Sequence, residues 1–288
     1  MTPRRSYVVP LADHRELRLG ERPLVMGILN ITPDSFAEPS PTIDIAVAIE
    51  RALQMQEGGA DIIDVGGEST RPGTESIGAR EELARVLPVV KGLSKQVRIP
   101  ISVDTYRAEV AQAAVDEGAS IVNDISGLRY DPALAGVVAR SGAALVLMHM
   151  RGRPKDMYAE AVYVDVLAEV AAELRTSIEA ATASGVPIER LIVDPGLGFA
   201  KRPDDSYGVL ARLSALAATL DRPLLVGPSR KSFMRVALGG LAAPERDWGT
   251  AAAVTAAVLA GAHIVRVHAV AQMAQVVRVA EEIRRHAE

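Results

Sequence analysis

Hydrogen-bonding side chains stand directly after short apolar runs in this sequence. One run, Ala60–Val65, ends at two glycines and continues as Glu68-Ser-Thr-Arg71. Arginine can donate two hydrogen bonds at once to phosphate oxygens, and glycine turns expose backbone N–H groups. This combination can therefore bind a polar or anionic ligand. Its meaning depends on whether the cluster stands alone or meets others in space.

Seven further apolar runs end in polar residues in the same way. The groups that follow them are Asn30-Ile-Thr-Pro-Asp-Ser-Phe36, Asp104-Thr105, Asn123-Asp124 with Ser126-Gly127, His149, Asp194-Pro-Gly-Leu-Gly-Phe199, Ser229-Arg-Lys231, and Arg266 with His268. Among these, Asp104, Asn123 and Asp194 offer acceptors and an amide beside Val, Ile and Met. Such a slot suits a flat heterocycle with ring N–H donors, because one carboxylate can accept two of them side by side.

A second subset suits an anion such as pyrophosphate. Arg71, Arg266 and His268 supply donors and charge, with Asn30 and Thr70 beside them. The carbonyl oxygen of Asn30 could also bind a hard cation such as Mg²⁺, with water and phosphate completing its shell.

Each residue alone also has a simpler interpretation. An aspartate after a strand is more often a helix cap than a catalyst, so Asp104 and Asp194 could merely begin helices. His149 could equally be a buried, satisfied histidine, and Ser229-Arg-Lys231 could be plain surface. The site hypothesis depends on the coincidence that all eight runs end in groups able to bond a polar ligand.

The apolar runs themselves predict the fold. They span residues 24–29, 60–65, 99–103, 120–123, 144–148, 191–193, 223–226 and 263–267. They are rich in Val, Ile and Leu without strict polar alternation, which is typical of parallel strands covered on both faces. Amphipathic stretches lie between them. Eight strand–helix units predict an α/β (β/α)₈ TIM barrel, with an open doubly wound sheet as the alternative. In a barrel the carboxyl ends of all strands share one rim, so the polar groups would converge there.

Composition and length set further bounds. The 288 residues fit one domain, which we place at residues 21–288, after a surface extension of residues 1–20 that forms a short hairpin of no assigned function. The net charge of -4 argues against a nucleic-acid partner. The absence of cysteine excludes disulfides and fits a reducing cytoplasm. No apolar run reaches the roughly 18 residues that cross a membrane. HExxH, GxxxxGK[ST] and a GxGxxG after the first strand are missing, which argues against a zinc protease and a nucleotide-binding sheet.

Taken in order, the motifs resemble those of the dihydropteroate synthase family. They are Asn30–Phe36, Asp64–Gly73, Ser102–Thr105, Asn123-Asp124, Asp194–Phe199, Ser229–Phe233 and Arg266–His268, and the resemblance extends from about Leu19 to the last helix. It implies a TIM-barrel enzyme of folate biosynthesis that uses Mg²⁺ and forms a homodimer. It also implies a reaction that joins 6-hydroxymethyl-7,8-dihydropterin pyrophosphate to p-aminobenzoate, releases pyrophosphate and is inhibited by sulfonamides.

The resemblance also implies residue roles. The pterin-binding set would be Asp104, Asn123, Met148, Asp194, Phe199, Gly227 and Lys231. The pyrophosphate set would be Asn30, Thr70, Arg71, Arg266 and His268, with Asn30 also at the Mg²⁺. The p-aminobenzoate set would be Phe36, Thr70, Pro72, Phe199, Ser229, Lys231 and Ser232, with Ser229 at a helix N-terminus that receives the carboxylate. The catalytic set would be Asp104, Asp194, Lys231, Arg266 and His268.

The sequence departs from the family at two places. Ala37-Glu-Pro-Ser-Pro41 stands where Ser-Asp-Gly-Gly is common, and its two prolines predict a stiffer first loop. Ala200 stands where glycine is usual, and we expect little effect from it.

Two rival functions stay open at this point. A pterin-binding methyltransferase domain, which passes a methyl group from a folate to a corrinoid, shares the pterin contacts but needs no pyrophosphate clamp. The intact clamp also argues against a paralogue that binds pterin without turnover, but the altered first loop keeps that alternative open. The small residues of Thr250–Ala262 fit either packing on the barrel or a subunit contact, and the family resemblance favours a dimer.

Overall fold

The computed structural model describes residues 4–32 and 44–287. Its strands are β1 (Tyr7–Pro10), β2 (Glu16–Leu19), β3 (Leu24–Asn30), β4 (Ile62–Gly66), β5 (Ile101–Asp104), β6 (Ile121–Asp124), β7 (Ala144–Met148), β8 (Leu191–Asp194), β9 (Leu225–Val226) and β10 (Ile264–Val267). Its α-helices are α1 (Ile45–Glu57), α2 (Ala79–Leu93), α3 (Ala108–Asp116), α4 (Ala133–Ser141), α5 (Val166–Ala183), α6 (Pro203–Ala211), α7 (Leu213–Leu220), α8 (Arg235–Leu238), α9 (Asp247–Leu259) and α10 (Val270–Arg285).

Strands β3 to β10 form a closed parallel barrel. Their order in the sheet is β8-β7-β6-β5-β4-β3-β10-β9. The two ends of that series meet through a parallel bridge between Val193 and Leu224, where the Val193 amide donates to the Pro223 carbonyl oxygen at 3.0 Å. The predicted (β/α)₈ barrel is therefore confirmed, and the open doubly wound sheet is excluded.

Side chains alternate between the inside and the outside of the barrel, as they must along a strand. The outward set, which includes Ile63, Val65, Val103, Val193 and Val265, packs under the helices in the main core. In four of the strands, the inward set begins with an apolar residue and changes to a polar one two positions later. The pairs are Ile62 and Asp64, Ile121 and Asn123, Ile192 and Asp194, and Ile264 and Arg266. Strand parity thus aims all four polar side chains at one end of the barrel interior.

The N-terminal hairpin closes the opposite end. β1 and β2 pair antiparallel, as predicted. Val9, Leu11, Leu17 and Leu19 are buried in the same cluster as the inward apolar residues of the barrel strands. The interpretation of residues 1–20 as a surface extension is therefore wrong, because the apolar face of the hairpin completes the core of the barrel.

Three of the described helices end at glycines. Gly59, Gly118 and Gly142 lie at the ends of α1, α3 and α4 with φ of +102°, +114° and +78°, a backbone that favours glycine. Among the described helices, none is both long and apolar enough to cross a membrane.

Candidate active site

One cleft opens where the barrel strands end. Its lining consists of Thr70, Asp104, Asn123, Ile125, Met148, Asp194, Gly196, Leu197, Phe199, Gly227, Lys231 and Arg266. All seven residues of the expected pterin set are among them, although they span more than a hundred positions of the chain. The structure therefore brings together the residues that the sequence analysis grouped by chemistry.

Arg266 lies between two carboxylates at the base of the cleft. Its Nε donates to Oδ2 of Asp64 at 2.6 Å, and its Nη2 donates to Oδ2 of Asp104 at 2.6 Å. Asn123 donates from Nδ2 to the same Asp64 oxygen at 3.1 Å. Sequence reasoning did not select Asp64 as a site residue. The signal that would have found it is strand parity, because Asp64 follows the inward-facing Ile62 by two positions.

Burial shifts the ionisation of the cleft. It raises the pKa of Asp104 to about 7; Arg266 opposes this shift, and the neighbouring Asp64 carboxylate adds to it. Burial likewise raises the pKa of Asp194 to about 6, and it lowers the pKa of Lys231 to about 7. For Arg266, burial acts to lower the pKa, but Asp64 and Asp104 outweigh it and raise the pKa above its ordinary value. Arg266 is thus charged, while Asp104, Asp194 and Lys231 titrate near neutrality.

The far wall of the cleft is built by the turn after β8. The Gly196 amide donates to Oδ1 of Asp194 at 2.7 Å and so fixes the carboxylate. Further along the turn, the Phe199 ring lies 3.6 Å from Nζ of Lys231, a distance typical of a cation–π contact. The result is a slot with carboxylates on the floor and an aromatic ring at one side.

His268 is paired with Ser229 at the cationic flank. The His268 amide donates to Oγ of Ser229 at 3.1 Å, and Oγ lies 2.9 Å from Nδ1 of the ring. Burial lowers the pKa of His268 to about 3, with the nearby cations of Arg230, Arg266, Lys231 and Arg71 adding to the effect. The ring is therefore neutral. The Ser229 hydroxyl, which accepts from the His268 amide, is placed as the donor to Nδ1, so the neutral ring carries its proton on Nε2 and leaves Nε2–H as a donor.

Ser229 does not stand at a helix start, contrary to expectation. It is buried in the loop after β9, and the chain next forms a 3₁₀ turn at Ser232–Met234 before α8. Its hydroxyl is engaged by His268, so the structure gives no support to a direct contact with the p-aminobenzoate carboxylate. Ser232 is half-buried beside the cleft, with Oγ 3.1 Å from the hydroxyl of Tyr158.

Comparisons with known proteins agree with this geometry. The family model of the pterin-binding enzymes matches residues 26–268. The chain belongs to this family. It is 45% identical to the dihydropteroate synthase of Synechocystis sp., over 92% of this chain and 91% of that protein.

Solved structures of this pterin-binding family superpose closely on the chain. A dihydropteroate synthase from Xanthomonas albilineans with 4-aminobenzoic acid is 40% identical, with a TM-score of 0.90 and coverage of 97% of this chain and 98% of that one. A second structure, from Burkholderia cenocepacia and complexed with 7,8-dihydropteroate, is 40% identical with a TM-score of 0.86, and the superposition covers 98% of both chains.

In this pterin-binding enzyme, the second loop, residues 66–78, carries Thr70, Arg71 and Pro72. Thr70 lines the cleft, whereas Arg71 and Pro72 are exposed. Neither the sequence motifs nor composition indicated the contacts that anchor the loop. Glu68 accepts from the hydroxyl of Tyr106 at 2.9 Å and pairs with Arg107 at 2.8 Å.

Arg107 extends that anchor. Its guanidinium also bonds the buried Glu82 and the carbonyl oxygen of Ile77. The loop touches the segment after β7 as well, where the Gly73 amide donates to the Pro154 carbonyl oxygen at 2.9 Å. These contacts hold the loop against the rim of the cleft.

A metal site was expected at Asn30. Within the described residues, no group of three or more His, Cys, Asp or Glu side chains could hold a metal ion by itself. Asn30 and Asp104 instead flank Gly66. A Cβ at Gly66 would lie 3.7 Å from Oδ1 of Asn30 and 3.6 Å from Oδ2 of Asp104. An amide oxygen and a carboxylate around a glycine gap fit Mg²⁺, which usually takes few protein ligands and completes its shell with water and substrate phosphate.

Two further expectations have different outcomes. His149 is a buried histidine with partners on both ring nitrogens, as the simpler interpretation held. Phe36 and the proline-bearing part of the first loop lie outside the described residues.

Proposed function

We infer that the chain is a dihydropteroate synthase. It condenses 6-hydroxymethyl-7,8-dihydropterin pyrophosphate with p-aminobenzoate to give 7,8-dihydropteroate and pyrophosphate. The observation that carries this conclusion is a single cleft whose lining combines the acidic acceptors Asp104 and Asp194 with the cations Arg266 and Lys231, with His268 close to both cations. Such a cleft can hold a fused ring with N–H donors beside a polyanionic leaving group.

The pterin ring is assigned to the acidic side. The carboxylates of Asp104 and Asp194 accept from ring N–H groups, and the side chain of Asn123 can both donate and accept. Met148 and Phe199 cover the apolar faces of the ring.

The pyrophosphate is assigned to the cationic side. Arg266 and the exposed Arg71 supply charge, and His268 donates from Nε2. Asn30, beside Asp104, would hold Mg²⁺ together with the diphosphate oxygens. The ion would supply positive charge against the leaving group.

The reaction that fits this geometry is an ionising displacement. The bond between the exocyclic carbon and the diphosphate oxygen breaks, and its electron pair leaves with the oxygen. The electron-rich pterin supports the cation, and Asp104 and Asp194 stabilise the developing positive charge. The arylamine nitrogen then attacks and loses a proton. Closure of the loops excludes water, which would otherwise capture the cation. A pterin trapped on a side chain would contradict this course.

The decisive test is turnover with the two substrates separately and together. Pyrophosphate release that requires both the pterin pyrophosphate and p-aminobenzoate supports the synthase. Pterin binding without release would identify a non-catalytic paralogue. Methyl transfer from a folate to a corrinoid would identify the methyltransferase. Sulfonamide competition and a cytoplasmic location stay predictions.

We also propose that the protein forms a homodimer. One face of α9 is buried in the core, but Trp248 on α9 is 88% exposed, and Val279 and Ile283 on the neighbouring α10 are 63% and 50% exposed. Large apolar side chains exposed on two helices that pack on each other are typical of an interaction surface. Light scattering should give the mass of a dimer for the native chain and of a monomer for Trp248→Glu. Val164→Glu, at another exposed valine, should stay dimeric.

A further inference from the structure

A buried lysine lies behind the turn that forms one wall of the pterin slot. Lys201 is 1% exposed. Its Nζ lies 2.7 Å from Nδ1 of His149, 3.1 Å from the carbonyl oxygen of Phe199 and 3.2 Å from that of Gly196. Three donors of the ammonium thus meet three acceptors, which come from the end of β7 and from the turn after β8.

Burial lowers the pKa of Lys201 to about 7, and the carboxylates of Asp194 and Glu173 act against this shift. Within the described residues, the hydrogen bonds of Lys201 include no carboxylate. Because Lys201 donates to Nδ1 of His149, the other ring nitrogen, Nε2, donates to Oε2 of Glu173 at 3.1 Å. Glu173 in turn pairs with Arg129 and Arg151. Burying a charge without a direct counterion is unfavourable, so a role is needed to explain a lysine here.

The turn held by Lys201 has an unfavourable backbone. Gly196, Gly198 and Ala200 all have positive φ, at +66°, +77° and +45°. Gly196 also presses against β7, since a Cβ there would collide with the carbonyl oxygen of His149. Ala200 is the costly member, because a left-handed backbone crowds its Cβ. A turn of this kind persists only where its surroundings over-determine it.

The same turn presents the pterin-binding groups. Its Gly196 amide fixes the Asp194 carboxylate, and its Phe199 ring faces Lys231. We propose that Lys201 is a positioning residue for the pterin pocket, whose ammonium clamps the Gly196–Ala200 turn so that Asp194 and Phe199 keep their places in the slot. The proposal rests on the proposed function of the cleft.

The first test is Lys201→Met, which keeps the length and removes the donors. The KM for the pterin pyrophosphate should rise at least tenfold, while kcat per titrated active site changes less than threefold. Lys91→Met, which removes a surface lysine paired with Glu117, is the matched control and should match the native enzyme. A merely structural lysine would lower the melting temperature and the folded yield but leave the KM of the folded fraction unchanged. That result would overturn the proposal.

The second test is rescue by Ala200→Gly. Glycine tolerates the left-handed backbone, so the turn should depend less on Lys201. The KM of the double variant for the pterin pyrophosphate should therefore be at least threefold lower than that of Lys201→Met. No recovery would mean that Lys201 does not act by holding the turn. Should Lys201→Met fail to fold, the comparison is made in the Ala200→Gly background, and failure to fold there too would overturn the proposal. A native enzyme without turnover would instead refute the proposed function.

Discussion

At the scale of single residues, the charges of the cleft explain why the diphosphate needs positive charge from outside the barrel. Asp64, Asp104 and Asp194 carry the negative charge, and Arg266 and Lys231 carry the positive charge of the lining. His268 adds a donor but no charge, because its pKa is lowered to about 3. A departing diphosphate therefore meets a cleft floor whose net charge is already zero or negative. In the proposed function, the additional positive charge would come from Arg71 of the second loop and from the Mg²⁺ that Asn30 would hold.

The same residues set the pH dependence. A carboxyl must be ionised to accept two pterin N–H groups side by side, and burial raises the pKa of Asp194 to about 6 and of Asp104 to about 7. The kcat/KM for the pterin pyrophosphate should therefore fall as the pH drops through that range, and it should fall again on the alkaline side as Lys231, whose pKa is lowered to about 7, loses its proton. Rates measured from about pH 5 to about pH 9 test this. A profile that stays flat down to the acid end would show that these carboxyls ionise normally.

At the scale of elements, the sequence predicts most of what periodicity can encode. The bounds of every barrel strand lie within two residues of the predicted ones, because the apolar runs form the strands that helices cover in this fold. Of the pterin set, Asp104, Asn123 and Asp194 follow from the strand ends, and the other four come from the family resemblance. The anchor of the second loop could not be predicted, since Glu68 and Arg107 are neighbours only after β4 and β5 pair. The role of Ser229 was missed for the same reason, because its partner His268 follows a different strand, β10.

The second-loop anchor has a distinct kinetic consequence. Arg107→Met removes the contacts to Glu68, Glu82 and Ile77, so the loop that carries Thr70 and Pro72 should lose its place. We expect the KM for p-aminobenzoate to rise by a factor that corresponds to about 1.5–3 kcal/mol, as for other hydrogen bonds to charged groups. The KM for the pterin pyrophosphate should rise less, through the displaced Arg71 and Thr70 only, because the floor under the pterin ring lies on β5, β6 and β8.

Lys155→Met is the matched control for the loop. It removes an exposed ion pair between Lys155 and Glu75 in the same region, and solvent screens such exposed pairs so that they contribute little. Steady-state kinetics with each substrate varied in turn separates the two variants. Equal effects of Arg107→Met on both substrates would show that the arginine supports the whole rim and not the loop alone.

At the scale of the whole molecule, the barrel separates stability from catalysis. Its carboxyl end holds the polar cleft, while its amino end is closed by the hairpin of β1 and β2. Leu17 on β2 is 5% exposed in the barrel cluster, so Leu17→Ala should cost about 2–5 kcal/mol of unfolding free energy. Val8 on β1 is 48% exposed, and Val8→Ala should cost within about 0.5 kcal/mol. Denaturant unfolding measures both variants.

The kcat/KM per folded molecule should stay at the native value in each, because the hairpin and the cleft lie at opposite ends of a packed interior. Loss of activity in Leu17→Ala without loss of stability would show that the hairpin communicates with the cleft through the barrel.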